Sequence, residues 1–325
     1  MTQALKQINL FTYHDLPYKD SGQNNTIIRS PLFYVGDKYK LMPQLKKLFP
    51  KMINTYIEPF CGGGSSFLNI NAKSYKLNDI DSNLIALHRF LAQHSKDTQG
   101  FFDKLFDLIE SYNLSCSFLN NTPDKALKAR YKKTYFAEFN KDSYKQLRQD
   151  FNTNKNDFLR LYVLLIYGFN RVLRFNSKAE FNLPVGNVDF NANVYQALQD
   201  YFHFMENKNI DFFNIHFIDF IESLECEKGD FIYFDPPYLI SGSEYNKLWN
   251  ETLESKLYTL LKKLDSKGVQ WGLSNLLIHK GKTNTLLQTF MQDFHSHTIQ
   301  SNYISFNDNS IKKDSKEVYV SNVKS

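Results

Sequence analysis

Apolar and polar positions along the chain fall into two rhythms. Short β-rich stretches run straight into turn residues, and longer stretches repeat with helical period. Residues 231–238 read FIYFDPPY, four apolar residues followed by an acid, two prolines and an aromatic. The pattern predicts a buried, parallel-type strand that stops at its carboxyl end, with Asp235 at the tip. Residues 55–60 (TYIEPF) predict a similar strand ahead of three consecutive glycines, and residues 74–77 another that ends in Asn78-Asp79-Ile80-Asp81. The first of these strands covers 231–235, and further strands are predicted over 216–220, 269–274, 297–304 and 317–320. Leu41, Leu45 and Leu48 share one face of an amphipathic helix, Leu84, Leu87, His88 and Leu91 mark a second, and 248–265 has helical period.

Between about 93 and 190 the strand-turn-helix rhythm gives way to helices and polar linkers. Residues 101–112 predict a helix, 113–125 a loop, 126–148 a basic, aromatic-rich helical stretch, and 158–168 (FLRLYVLLIYG) a buried helix. The expected organisation is an amino-terminal arm over 1–30, with 20–26 as loop, then a sheet domain formed by 31–95 and 191–325, interrupted by a smaller domain over 96–190. The fold class is α/β.

Composition narrows the class without naming a function. At 325 residues and 42% hydrophobic content the chain is neither disordered nor too small for a large core, and no apolar run is long enough to span a bilayer. The amino terminus lacks the basic start, apolar core and cleavage site of a secretory signal, which predicts a cytoplasmic protein. Cys61, Cys116 and Cys226 stand far apart with no CxxC, so neither a disulfide framework nor a zinc knuckle is expected, and no metal is implied. His295 and His297 form a close pair with no third ligand and are expected at the surface. The net charge of +5 favours a polyanionic partner.

Candidate chemistry collects at the strand ends, where open α/β sheets bind ligands. A bare Asp-Pro-Pro is compatible with an ordinary turn, but Tyr238 adds a flat aromatic face. The Asp235 carboxylate and the Pro236 carbonyl offer two acceptors to a planar exocyclic amine, with Pro237 fixing the turn. Gly62, Gly63 and Gly64 let a ligand approach the backbone closely, yet no GK[ST] follows and the G-x-G-x-x-G fingerprint is broken at Phe67, so a nucleoside without bound phosphate fits better than a dinucleotide. Asp79 is placed to accept ribose hydroxyls, and Asp81 to cap the following helix. Lys38 beside Tyr34 and Gly36 is either a ligand-facing cation or a surface lysine. The loop 169–187 (FNRVLRFNSKAEFNLPVGN) carries Arg171, Arg174, Asn176, Ser177, Lys178 and Asn182, donors of the kind that reach base edges and phosphates, with Gly168 and Gly186 at its ends. Lys132 and Lys133 are either phosphate contacts or a solvated helix face. Tyr245 and Trp249 are either stacking groups or hydrophobic closure, and 306–316 a polar hairpin tip.

The order of these motifs, an aromatic-Gly-Asp-Lys segment, EPFCGGGSSFLN, NDID, RFNSKAEFNLPVG and FDPPY, resembles the Dam-like, D12 class of N6-adenine DNA methyltransferases. The resemblance covers about 31–322. It implies a Rossmann-like, S-adenosylmethionine-dependent methyltransferase sheet of seven strands, one of them antiparallel, with a mainly helical target-recognition insertion. It further implies that Tyr34, Lys38, Glu58, Phe60, Gly62, Gly64, Asp79 and Asp235 line the S-adenosylmethionine site, and that Asp235, Pro236, Pro237 and Tyr238 are catalytic. Tyr144, Arg148, Phe151 and Asn152 match a Y-x-x-x-R-x-x-F-N segment of the recognition domain, and Arg174, Asn176, Ser177 and Pro184 match its DNA-contacting loop. With Arg148, Asn152, Arg171 and Lys178 these make up the expected DNA-binding set. The implied partner is double-stranded DNA at a short GATC-like or other GA-containing site, with a cognate restriction endonuclease alongside. Four departures stand out: Asp37 where the family usually has Gly, Ala179 where Gly is common, Asn187 after Gly186, and extra length around Tyr112 to Arg130. RNA adenine methylation and an inert cofactor- or DNA-binding regulator remain the alternatives.

Overall fold

The computed structural model describes residues 27–241, 249–300 and 315–324. Residues 1–26 of the expected arm 1–30, with its loop, Tyr245, and most of the hairpin tip 306–316 lie outside them. Two compact units divide the chain. One comprises residues 27–37 and 86–207, the other 38–85 and 208–324.

The second unit is built on one mixed sheet. Its strands are β1 (Thr55–Glu58), β2 (Ser74–Asn78), β3 (Asn209–Phe213), β4 (Phe231–Phe234), β5 (Gln270–His279), β6 (Lys282–Thr283), β7 (His295–Ile299) and β8 (Lys316–Ser321). The spatial order is β3-β2-β1-β4-β5-β8-β7, with the two-residue β6 paired to β5 as a hairpin. Strands β3, β2, β1, β4 and β5 are mutually parallel, and β8 runs antiparallel between β5 and β7. Apart from β6, this is the seven-stranded sheet with one antiparallel strand that the resemblance implies. The strand order reverses between β1 and β4, which opens a crevice beyond their carboxyl ends.

Side-chain alternation sorts the sheet into two faces. Ile57, Ile232, Phe234, Trp271, Leu273, Val318 and Val320 pack with Phe217, Phe220, Leu257, Leu261 and Phe290 in one core. On the opposite face Phe49 packs against Tyr56, Phe231, Tyr233 and Tyr319, with ring centroids 4.9–6.4 Å apart. By the same alternation, Glu58 follows Tyr56 and Asp235 follows Tyr233 on this aromatic face, while Glu317 precedes Tyr319. Three carboxylates are therefore carried toward one edge of one face.

Several expectations are corrected. Residues 216–220 are not a strand. His216 caps the helix Phe217–Glu222 through a bond from the Ile218 amide, and Phe217, Phe220 and Ile221 recur with helical spacing into the core. The strand of this region is β3, a short edge strand in which polar Asn209 and Asp211 alternate with Ile210 and Phe212. The helix expected around Leu41, Leu45 and Leu48 contracts to Met42–Leu45, and only a 3-10 turn, Phe67–Asn69, follows the glycine loop. Helical stretch 126–148 splits at Lys132, whose φ is +43°, into Lys125–Tyr131 and Tyr135–Thr153.

The first unit is helical, formed by Thr98–Ser111, the two helices just named, Phe158–Tyr167 and Ala192–Glu206. Phe158–Tyr167 is its centre: every residue from Leu161 to Tyr167 is buried. Among the described residues no helix is long and apolar enough to cross a membrane, and no group of His, Cys, Asp and Glu is arranged to hold a metal. Cys61, Cys116 and Cys226 are free thiols, and His295 is exposed on β7.

Candidate active site

The crevice of the sheet unit gathers Lys38, Glu58, Asp79, Asp235, Tyr238 and Glu317. Strand β4 delivers Asp235 at its tip, where Lys38 Nζ lies 2.8 Å from Asp235 Oδ2. Both side chains are largely buried. The same ammonium stands 4.9 Å from the centroid of the Tyr238 ring. The Lys38 carbonyl accepts the Leu41 and Met42 amides, so the turn that starts the short helix also fixes the lysine backbone. Lys38 is buried and paired, not a surface lysine.

Burial raises the Asp235 carboxyl above the ordinary range; Lys38 opposes that rise and Glu317 adds to it. Tyr238 donates its hydroxyl to Glu317 Oε1 at 2.6 Å, with Asp235 Oδ1 at 3.3 Å. Glu58, at the tip of β1, is buried, and its carboxyl is pushed well up, first by burial and then by the neighbouring charges of Asp235 and Asp79. Glu58 Oε2 and Glu317 Oε2 are both buried with no hydrogen-bond partner among the described residues. Carboxylates so outnumber Lys38 that this crevice costs the fold stability, the usual mark of a ligand site.

The glycine loop lies between β1 and the following turn. Cys61 donates its amide to the Asn78 carbonyl, which ties the loop to the end of β2. Gly62 has φ +50° and Gly64 φ +88°, a region that side chains disfavour, and nothing stands within 4 Å of where a Gly62 Cβ would lie. Asp79 Oδ2 accepts the Gly62 amide at 2.9 Å and Oδ1 the Asp81 amide at 3.0 Å. Burial lifts its carboxyl from 3.8 to about 6, against the lowering effect of these two bonds. Asp81 caps the helix Ser82–Gln93 by accepting from Asn83 and Leu84, as its spacing predicts. Asn78 clamps the rim, donating to the Pro59 and Ile215 carbonyls and accepting the Ile215 amide. Phe60 packs 5.1 Å from Phe217 and edge-on to Trp249 at 5.7 Å. Trp249 is buried and hydrogen-bonded to Glu254, which also accepts from Tyr258, Asn275 and Asn284.

Tyr34 belongs to the helical unit, as does Gly36, and is half-buried there. That unit also carries all the expected DNA-binding residues. Their loop is a hairpin: Phe175 pairs with Phe181 and Gly168 with Val185 as antiparallel bridges. Arg174 donates from Nε to Asn182 Oδ1 at 2.9 Å and from Nη2 to the Asn182 carbonyl at 2.7 Å. Asn176 Oδ1 accepts the Lys178 and Glu180 amides, closing the tip on which Ser177 and Lys178 are exposed. Pro184 is exposed on the returning strand. Arg148 and Asn152 point their donors into the hairpin itself, to the carbonyls of Leu183 and Phe181, and Asn152 also accepts the Phe181 amide. Arg171 stacks its guanidinium 4.3 Å from the Phe33 ring, and Arg29 does so at 4.5 Å. Burial lowers the Arg171 pKa to about 10.

Two of the departures have local reasons. Ala179 sits at φ +55°, a conformation that explains glycine as the commoner residue there. Asn187 accepts the Phe136 and Ala137 amides and so caps the helix Tyr135–Thr153, whose own Thr134 makes no side-chain cap. Sequence reading passed over two residues. Phe169 is 55% exposed at the start of the hairpin, and Glu317 is fully buried. An aromatic beside Gly168 in a donor-rich loop was the available signal for the first; a lone acid in the apolar run EVYV was the signal for the second.

Comparison with known proteins agrees with this geometry. The family model described as D12 class N6 adenine-specific DNA methyltransferase matches residues 34–304. Modification methylase StsI of Streptococcus sanguinis is 33% identical over 91% of this chain and 43% of its own length. Type II methyltransferase M.FokI of Planomicrobium okeanokoites is 32% identical over 92% of this chain and 44% of its own. This chain thus spans less than half the length of either. Type II methyltransferase M1.LlaDCHI of Lactococcus lactis subsp. cremoris is 27% identical, covering 92% of this chain and 98% of the relative. With the motifs in order, the sheet as implied and the family model matched across both units, this chain belongs to the D12 class of N6 adenine-specific DNA methyltransferases.

Proposed function

We propose that the protein transfers a methyl group from S-adenosylmethionine to the N6 nitrogen of an adenine in a short duplex DNA site. The observation that carries this reading is the Asp-Pro-Pro-Tyr strand tip, with its carboxylate paired to Lys38 beside an aromatic face. The cofactor fits the crevice: Gly62 leaves its face open, Asp79 offers a fixed carboxylate to hydroxyls, and Glu58 keeps a buried oxygen for a cation. When bound, S-adenosylmethionine supplies an electrophilic methyl group. Lys38, Glu58, Phe60, Gly62, Gly64, Asp79 and Asp235 would hold it.

An adenine inside a duplex hides its amino nitrogen, so it must leave the stack, at a cost of about a few kcal/mol. Tyr238 then stacks on the extruded base. The Asp235 carboxylate and Pro236 carbonyl accept its two amino hydrogens, which directs the nitrogen lone pair away from the ring plane. Lys38 keeps Asp235 ionised so that it can stabilise the positive charge developing on nitrogen. Positioning of two bound molecules supplies much of the remaining acceleration.

The helical unit is the target-recognition part on this reading. Arg174, Asn176, Ser177, Lys178 and Pro184 present the hairpin to DNA, Arg148 and Asn152 brace it from behind, and Arg171 and Phe169 flank its start. The names of relatives, modification methylases among them, support a modification role, and a cytoplasmic location with a cognate restriction endonuclease completes the proposal. The test is single-molecule sequencing of DNA from a methylation-free host expressing the chain. N6-methyladenine at one short motif, lost in Asp235→Ala, is the expected result. Unmodified DNA from cells holding the folded, cofactor-binding protein would refute the reading.

A further inference from the structure

We propose that Glu317 is a positioning residue: by holding the Tyr238 hydroxyl, it fixes the aromatic wall of the pocket and leaves Asp235 Oδ1 as the acceptor for the adenine amine. The inference rests on the reading of the FDPPY tip as the adenine pocket. A phenol has one proton to donate, and two carboxylates compete for it. Glu317 Oε1 stands at 2.6 Å and Asp235 Oδ1 at 3.3 Å, so the shorter, charge-assisted bond goes to Glu317. Asp235 Oδ2 is engaged by Lys38 at 2.8 Å. Oδ1 is then the oxygen with acceptor capacity to offer.

Folding alone gives no reason for an acid at this place. Glu317 lies in a strand between partners of β5 and β7, opposite Leu276 and Ile299, and the residues after it, Val318, Tyr319 and Val320, are all buried. Its side chain is fully buried and its second oxygen has no partner among the described residues. An apolar residue there would spare that desolvation. What the acid adds is the bond to Tyr238. Because β8 runs antiparallel, its first residues reach the same edge as the tip of β4, so an acid remote in sequence meets the catalytic motif.

The experiment is a double-mutant cycle on the full chain, read as the single-turnover rate of methyl transfer to unmethylated DNA together with S-adenosylmethionine affinity. Glu317→Leu is expected to lower the rate by about tenfold or more while cofactor affinity stays within about threefold, since the bond it removes orients the base and not the cofactor. Glu317→Gln, which keeps a neutral acceptor of the same shape, is expected to recover most of the rate and covers the case in which Leu is not tolerated. In a Tyr238→Phe background Glu317→Leu should add less than about a twofold loss, because the shared group is gone. Full rate in both Glu317 variants, or losses that multiply in the double variant, would overturn the proposal while leaving the methyltransferase reading intact. A wild-type chain that methylates no adenine would overturn both.

Discussion

Lys38 reaches Asp235 from the segment ahead of the first short helix, 2.8 Å from Oδ2, and its ammonium also faces the Tyr238 ring. One cation thus serves both the carboxylate and the aromatic wall of the crevice. Burial pushes the Asp235 carboxyl up, and Lys38 is the largest influence holding it down. If catalysis requires the ionised form, Lys38→Met removes that restraint and the acid limb of kcat/KM moves to higher pH, by about one unit or more. A pH profile superimposable on that of the wild type would show that Lys38 does not set the charge.

Asp79 gives a second pH dependence with its sign fixed by burial. Its folded value of about 6 lies above the ordinary 3.8, so between these values the folded protein binds more protons than the unfolded chain. The stability it contributes is present below about 4 and lost as pH rises through about 6. Cofactor affinity should move the other way, strengthening through the same window as the carboxylate becomes a full acceptor. Isothermal titration between pH 5 and 8 should show that rise in the wild type and a flatter curve in Asp79→Asn.

The base of the hairpin that holds Arg174 depends on two glycines in contact. A Cβ on Gly186 would lie 2.7 Å from the Gly168 carbonyl oxygen, a backbone atom that cannot step aside. Gly186→Ala is expected to cost about 1–3 kcal/mol by overpacking. On the proposed function, DNA binding should weaken while S-adenosylmethionine binding, assigned there to the sheet unit, is retained. Gel-shift and calorimetric assays on the same preparation separate the two.

Arg174 is held by two bonds to Asn182. Arg174→Ala should relax or weaken site choice, with a discrimination loss of about 1–3 kcal/mol if it reads a base. Asn182→Ala, which frees the guanidinium, should blur the same position. An unchanged methylation map in both variants would remove Arg174 from the reading surface.

In the sheet, Gly272 of β5 makes room for a neighbour's ring. A Cβ there would meet the Tyr319 hydroxyl at 2.1 Å and its ring at 2.6 Å, and Tyr319 is buried against Phe49. Gly272→Ala should lower Tm by several degrees, for a loss of about 1–3 kcal/mol. Tyr319→Leu in the same chain should restore part of it, as scanning calorimetry would show.

Elements that bury their own pattern were legible in the amino-acid order. The β4 strand and its Asp-Pro-Pro-Tyr stop, the acid after β2, the glycine turn and the helix Phe158–Tyr167 each carry their signal within a few residues, because strand alternation, proline stops and helical period are local properties. The Asp81 cap was legible for the same reason. Which partners those residues meet depends on long-range packing. Edge strand β3 is only five residues long, and the aromatic-rich segment just after it, which carries Phe217 and Phe220, has strand-like composition but folds as a helix. Asn187 is explained by amides about fifty positions earlier, and Gly272 by a ring on another strand. Glu317 meets Tyr238 across 79 positions because an antiparallel strand turns its beginning toward the edge where the parallel strands end. Direction and order in a sheet arise from long-range pairing, and no local pattern encodes them.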